Sequence, residues 1–201
     1  MIRTLLLWIM MMVAANAATN MWIRTGDAYG IDPRLLYAIS KVESDLRPLN
    51  ISVNYKKLTK MQLDKLYLML KNRGIPYKTF TKVVAIENEN ITQAKYVISF
   101  LDSNHYPSFD IGLMQINNVH KEVLAGMKIS LHSLLNQETN LNVSAAILWE
   151  CYKKHGSTYK AINAYNGRVA GNPYYSKVSA ELQKLLLPNE NSSKRLFYGV
   201  L

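Results

Sequence analysis

The sequence predicts a helix-rich α+β fold, and three observations lead there. Apolar residues recur at helical spacing in several separate stretches, each with its own start and stop signals. Two to four short runs instead have the alternation or the β-rich composition of strands. The balance of 49% hydrophobic and 19% charged residues is that of a folded globular chain, which excludes a disordered one. At 201 residues there is enough chain for one good-sized domain.

In chain order, Asp32-Pro33 supplies an N-cap and a first-position proline, and Leu35, Ile39 and Val42 form an apolar stripe. This helix ends before Arg47-Pro48. Residues 50–55 alternate like a short strand. Thr59 and Gln62 have capping-box spacing and open a helix through Leu63, Leu66 and Leu70, with Gly74 closing it. Val83 to Ile86 suits a second strand. Ala94, Val97, Ile98 and Leu101 mark another amphipathic helix, and Met114, Ile116 and Val119 follow a polar loop. A long helix is expected over Asn140–Lys154 before Gly156. A short one over Tyr159–Ala164 stops at Asn166-Gly167, and a last one covers Tyr174–Leu187 before Pro188.

The ends read differently from the middle. Arg3, an apolar run from Leu5 to Val13 and the small residues Ala14 to Ala18 are the three parts of a secretory signal peptide, residues 1–17, cleaved after Ala17. The run is roughly half the ~20 apolar residues that a bilayer span requires. No later segment is long and apolar enough either, so the expected product is an exported, periplasmic protein that does not span the membrane. It comprises one domain over 18–187 and a flexible tail over 188–201.

Composition narrows the chemistry. The single Cys151 excludes a disulfide scaffold and any cysteine-rich metal centre, and on its helix it reads as a buried apolar residue; an intermolecular disulfide is the alternative. His105, His120, His132 and His155 are too far apart for a local metal-binding spacing, so neither metal nor cofactor is expected. Trp149 and Tyr152 read as core aromatics, while Tyr174-Tyr175 suits either a core or a sugar platform. The net charge of +10 calls for an anionic partner, and export makes nucleic acid a poor one. That charge is concentrated: between Lys56 and Lys82 eight basic residues face one acid, Asp64, a local +7.

Two places carry candidate chemistry. Glu43 lies on the flank of the stripe formed with Leu36 and Ile39, in the last turn of its helix. Desolvation and the negative end of the helix dipole both favour its protonated form, which suits a general acid at a glycosidic oxygen. The alternative is a solvated glutamate at a helix end. The second place is Asp110-Ile111-Gly112-Leu113-Met114-Gln115-Ile116-Asn117. Here glycine allows close backbone approach, and Gln115 and Asn117 stand among apolar neighbours as in a cleft wall. A core strand ending in a turn explains it equally well.

Taken in order, Glu43-Ser44, Gly112-Leu113-Met114-Gln115 and Ala164-Tyr165-Asn166 resemble the E-S, G-L-M-Q and A-Y-N motifs of the soluble lytic transglycosylase family. The resemblance runs from about Trp22 to Val178. It implies a lysozyme-like domain (goose-type, glycoside hydrolase family 23 type) with a small β-hairpin region and a basic helical insert at about 56–82. The form of the second motif looks most like the members found in type IV secretion, conjugation and pilus-assembly systems. The implied reaction is cleavage of the peptidoglycan bond between N-acetylmuramic acid and N-acetylglucosamine, without metal, leaving 1,6-anhydro ends. Glu43 would be acid and then base, Ser44 and Gln115 would bind sugar, and Tyr165 would hold the Glu43 carboxyl group. Met114 and Asn166 would line the groove, with Gly112 and Asn117 beside them. Asp110 is a possible second carboxylate, because a carboxylate two residues before that glycine also occurs in true lysozymes. That keeps open a muramidase using Glu43 and Asp110. A wall-binding scaffold with weak activity is the remaining alternative. The Lys56–Lys82 segment, longer than in compact members, reads as a cover over one groove end or as a docking surface for wall polymer or secretion-apparatus proteins.

Overall fold

The structure, a computed structural model, describes residues 21–185 and 196–197. The expected signal peptide and its cleavage site lie outside the described residues. So does most of the tail.

Helix α1, described over 21–29, is followed by α2 (Pro33–Ser44), strand β1 (Asn50–Asn54), α3 (Lys60–Asn72), β2 (Tyr77–Thr79) and β3 (Val83–Glu87). Then come α4 (Ile91–Ser103), β4 (Phe109–Ile111), β5 (Ile116–Asn117), α5 (Lys121–Gly126), α6 (Gln137–His155), α7 (Thr158–Tyr165) and α8 (Tyr174–Gln183). Helices dominate and the strands are short, so the fold is mainly helical α+β. The strands join into one antiparallel sheet of order β2-β3-β1-β4-β5. That is one strand more than the sequence reading allows. Strands of two and three residues, such as β5, β2 and β4, are too short to show a period of two.

Local signals explain the helix ends. Thr59 and Gln62 form the reciprocal capping box of α3, and Gly74, at φ +60°, closes it in the left-handed region where a side chain is disfavoured. Asn90 caps α4 by accepting from the Gln93 N–H at 3.0 Å. Helix α6 begins three residues before the expected start, with Glu138 in its first turn and Lys153, Lys154 and His155 in its last, as the helix dipole favours. Helix α8 ends at Gln183, short of Leu187.

The chain divides into two compact units. In the unit spanning 40–144, sheet residues alternate. Ile51, Val53, Val84, Ile86, Phe109 and Ile111 are fully buried, whereas Ser52, Asn54, Ala85 and Asp110 on the other face are half-buried. Helix α4 packs on β1 through a face that includes Ala94, Val97, Ile98 and Leu101. The segment at 56–82 is a helix followed by an edge strand; Lys78 pairs with Glu87 at 2.8 Å, and Tyr67 stacks on Tyr77. Val119, in the 3-10 turn over Asn118–His120, is 62% exposed.

The other unit contains the residues before 40 and after 144. Of the tail expected to be flexible, residues 196–197 are held in place. The Leu196 carbonyl accepts from the Asp32 N–H at 2.9 Å, Phe197 bridges Ile31, and its buried ring stacks on Tyr152 with centroids 4.1 Å apart. Trp149 adds a stacked contact to both rings. Tyr174 is buried and Tyr175 stands edge-on to Tyr159. Among the described residues no helix is long and apolar enough to cross a membrane.

Candidate active site

In the unit spanning 40–144, the end of α2 and the turn between β4 and β5 are bonded together. Ser44, 2% exposed, donates through Oγ to the Leu113 carbonyl at 2.6 Å, and its Oγ also lies 3.3 Å from the Ser40 carbonyl. The Ser40 hydroxyl donates to the sulfur of the fully buried Met114. The E-S and G-L-M-Q motifs, far apart in sequence, are therefore one packed structure. Glu43, half-buried, sits beside that junction in the last turn of α2.

Helix α6 fixes the turn from the other side. Asn140, fully buried, accepts from the Met114 N–H at 2.9 Å and donates to the Ile111 and Leu134 carbonyls at 2.9 and 2.8 Å. A Cβ on Gly112 would stand 2.4 Å from Asn140 Nδ2 and 2.6 Å from the Leu134 carbonyl oxygen, and φ is +81°. Only glycine fits both the backbone shape and the space. Gln115 also lies in the left-handed region, at φ 48°, as do Asp45 and Leu46 just after α2, at φ 56° and 62°. Such positions cost on the order of 1–3 kcal/mol each and persist where surrounding contacts hold them. The Gln115 amide supplies one such contact, donating to the Gly112 and Asn50 carbonyls at 2.8 and 3.3 Å.

Asp110 projects from the half-buried face of β4, opposite Asn117 of β5. Asn117 donates to Asp110 Oδ1 at 2.7 Å and to Ser108 Oγ at 3.1 Å, and accepts from the Val119 N–H at 3.0 Å. Burial pushes the Asp110 carboxyl up to about 6, outweighing the Asn117 bond and the charge of Lys57, which both lower it.

The third motif belongs to the other unit. Tyr165 is half-buried at the end of α7, and Asn166 is its exposed C-cap. Asn163, one turn of chain earlier and fully buried, shapes this end by accepting from the Tyr175 N–H at 2.9 Å and the Arg168 N–H at 3.2 Å.

The site residues expected from sequence thus take different positions. Glu43, Asp110, Gln115 and Asn117 are half-buried, whereas Ser44 and Met114 are buried and hold the turn. Two positioning residues, Asn140 and Asn163, escaped the sequence reading. A buried polar residue inside a helix leaves only a faint trace, an asparagine among apolar neighbours such as Leu141 and Val143. Among the described residues no group of three or more His, Cys, Asp or Glu is placed to hold a metal ion. Cys151 is half-buried rather than buried as expected, and desolvation raises its thiol above the usual range, which lowers its thiolate fraction; desolvation lowers His120.

The chain is similar to known proteins. "Invasion protein IagB" of Salmonella typhi is 33% identical over 94 residues, covering 46% of this chain and 58% of that protein. The protein of that name from Salmonella typhimurium (strain SL1344) is 34% identical over 92 residues, covering 45% and 56%. The chain thus spans little more than half the length of these relatives. The family model described as "Transglycosylase SLT domain" matches residues 20–180, nearly all of the described chain. With that match and two of its motifs joined by the Ser44–Leu113 hydrogen bond, the chain belongs to the transglycosylase SLT domain family, of lysozyme-like fold.

Proposed function

We propose that this protein is a periplasmic lytic transglycosylase that cleaves the N-acetylmuramic acid–N-acetylglucosamine bond of peptidoglycan and leaves 1,6-anhydro ends. The observation that carries the reading is the Ser44 hydrogen bond to Leu113, which sets Glu43 beside the Gly112–Gln115 turn. Glu43 protonates the leaving oxygen, then takes the proton of the sugar 6-hydroxyl as that oxygen attacks C1. No attacking water and no cofactor enter the scheme. Gln115, Asn117, Tyr165 and Asn166 bind sugar, and Ser44, Gly112 and Met114 act by holding the turn. Asp110 stabilises the developing oxocarbenium ion electrostatically. The muramidase reading gains support from the half-buried Asp110, whose carboxyl titrates near 6 and suits activation of a water.

The wider role is local opening of the wall for a secretion or conjugation apparatus. Its support is the form of the Asp110–Asn117 motif and the similarity to proteins described as invasion proteins. The Lys56–Lys82 segment is the contact surface for that apparatus or for anionic wall polymer. Digestion of purified peptidoglycan, followed by mass spectrometry, tests the chemistry. Anhydro ends, one water lighter than reducing ends, are the expected product. Reducing ends from the wild type that disappear in Asp110→Asn establish the muramidase instead.

A further inference from the structure

Helices α3 and α4 frame an open groove in the unit spanning 40–144 that the scheme above does not use. Its volume is about 290 Å³, and Lys65, Leu68, Met69, Arg73, Tyr96 and Phe100 line it. Lys65 and Arg73 stand about two turns of helix apart, so the groove carries a cation towards each end. The Arg73 guanidinium lies 4.2 Å above the centre of the Tyr96 ring, and Lys65 Nζ donates to Asn104 Oδ1.

Helical spacing puts Lys60, Met61, Asp64, Leu68 and Lys71 on the outward face of α3, opposite the buried Leu66 and Leu70. Met61 is 77% exposed and Leu68, which also lines the groove, 57%. Lys60, Lys65, Lys71 and Arg73 form no ion pair among the described residues, and against them α3 carries one acid, Asp64. On α4, Asp102 is already paired with Lys121. Cations alone would serve a hydrated wall polymer, but such a polymer leaves Met61 and Leu68 in water. Exposed, unpaired lysine stems also suit mobile headgroups better than the fixed carboxylates of a folded partner. An anionic bilayer uses both sets of groups. Lipid phosphates accept from the cations, and the apolar side chains enter the boundary between headgroups and acyl chains. Arg73 is well placed for a phosphate, because the Tyr96 ring holds its guanidinium at the groove, and tyrosine is itself favoured at that depth.

We propose that this face docks on the surface of an anionic phospholipid bilayer, with a lipid phosphate between Lys65 and Arg73 and with Met61 and Leu68 in the headgroup boundary. The contact is peripheral, and it does not depend on the transglycosylase reading. A protein held this way meets the wall from the membrane side.

Co-sedimentation of the signal-processed protein with vesicles tests it. Binding is expected to mixed phosphatidylglycerol–phosphatidylcholine vesicles, but not to phosphatidylcholine alone, and it should fall with added salt. Two double variants separate the two sets of groups, and circular dichroism checks that each stays folded. Lys65→Gln with Arg73→Gln should weaken binding about thirtyfold. Met61→Ser with Leu68→Ser changes no charge and should weaken it about tenfold. Failure to sediment with the anionic vesicles overturns the proposal and leaves a protein as the partner of this face. Binding unchanged by the serine pair overturns it as well, since charge alone then suffices, as it would for wall polymer. Equal binding to the neutral vesicles overturns the phosphate contact and the proposal with it.

Discussion

Replacing Asp110 with asparagine should make the protein more stable at neutral pH and less active. The carboxyl is raised from 3.8 to about 6 by burial. A folded-state value above the unfolded one means that the folded protein holds the proton more tightly. The group therefore costs nothing below pH ~3.8, and its cost grows as pH rises through 6 and levels off above it. At about 1.36 kcal/mol per unit, the shift amounts to roughly 3 kcal/mol of lost stability at pH 7.5. Asparagine keeps the oxygen that accepts from Asn117 and cannot ionise, so Asp110→Asn should recover about 2–3 kcal/mol there. Urea denaturation of both proteins at pH 4, 6 and 7.5 measures it. The expected difference is near zero at pH 4 and largest at pH 7.5. A difference that does not vary with pH, or a less stable mutant at pH 7.5, refutes the reasoning. A costly carboxylate facing a candidate site is a common form of trade between stability and activity.

Glu43→Gln should leave the circular dichroism spectrum unchanged and reduce wall digestion by about 10²–10⁴-fold, since the amide cannot donate the proton; a zymogram with near-normal clearing contradicts it. Asn140→Ala strands three buried partners, Met114 N–H and the Ile111 and Leu134 carbonyls, and should lower stability by about 3–5 kcal/mol in denaturant titration. Gly112→Ala adds a methyl into the same contacts and should destabilise by a similar ~3 kcal/mol or more, read in the same assay. Reversing the charges of Lys60, Lys65 and Lys71 should weaken binding to intact sacculi or to a partner protein, and that binding in the wild type should fall with salt, as screening over ~10 Å at 0.1 M requires. Retained binding after the triple reversal makes the segment a cover alone.

Much of the architecture was legible because it is locally encoded. The Thr59–Gln62 capping box, the Asp32-Pro33 start of α2 and the stripe of α4 each lie within a few residues of chain and recur in the structure. What escaped depends on distant partners. Strand β2 exists only because Val84 and Ile86 lie across from it, and no period shows in three residues. Asn140 became a positioning residue through bonds to the β4–β5 turn, more than twenty residues away. Ser44 and Met114 illustrate the same limit from the other side. Their motifs pack against each other, but burial, which depends on the whole unit, turned both inward.

The packing of Phe197 has a practical bearing on recombinant fragments. The family match stops at residue 180, and a polypeptide cut there would look complete from sequence alone. Such a cut removes the last residues of α8, the ring stacked on Tyr152 and the carbonyl that receives the Asp32 N–H at the start of α2. The apolar faces of Trp149 and Tyr152 would then be open to water, inviting self-association. A purification handle fused directly to Phe197 would crowd the same ring. Handles and fusion partners belong beyond Phe197, separated from it by a spacer.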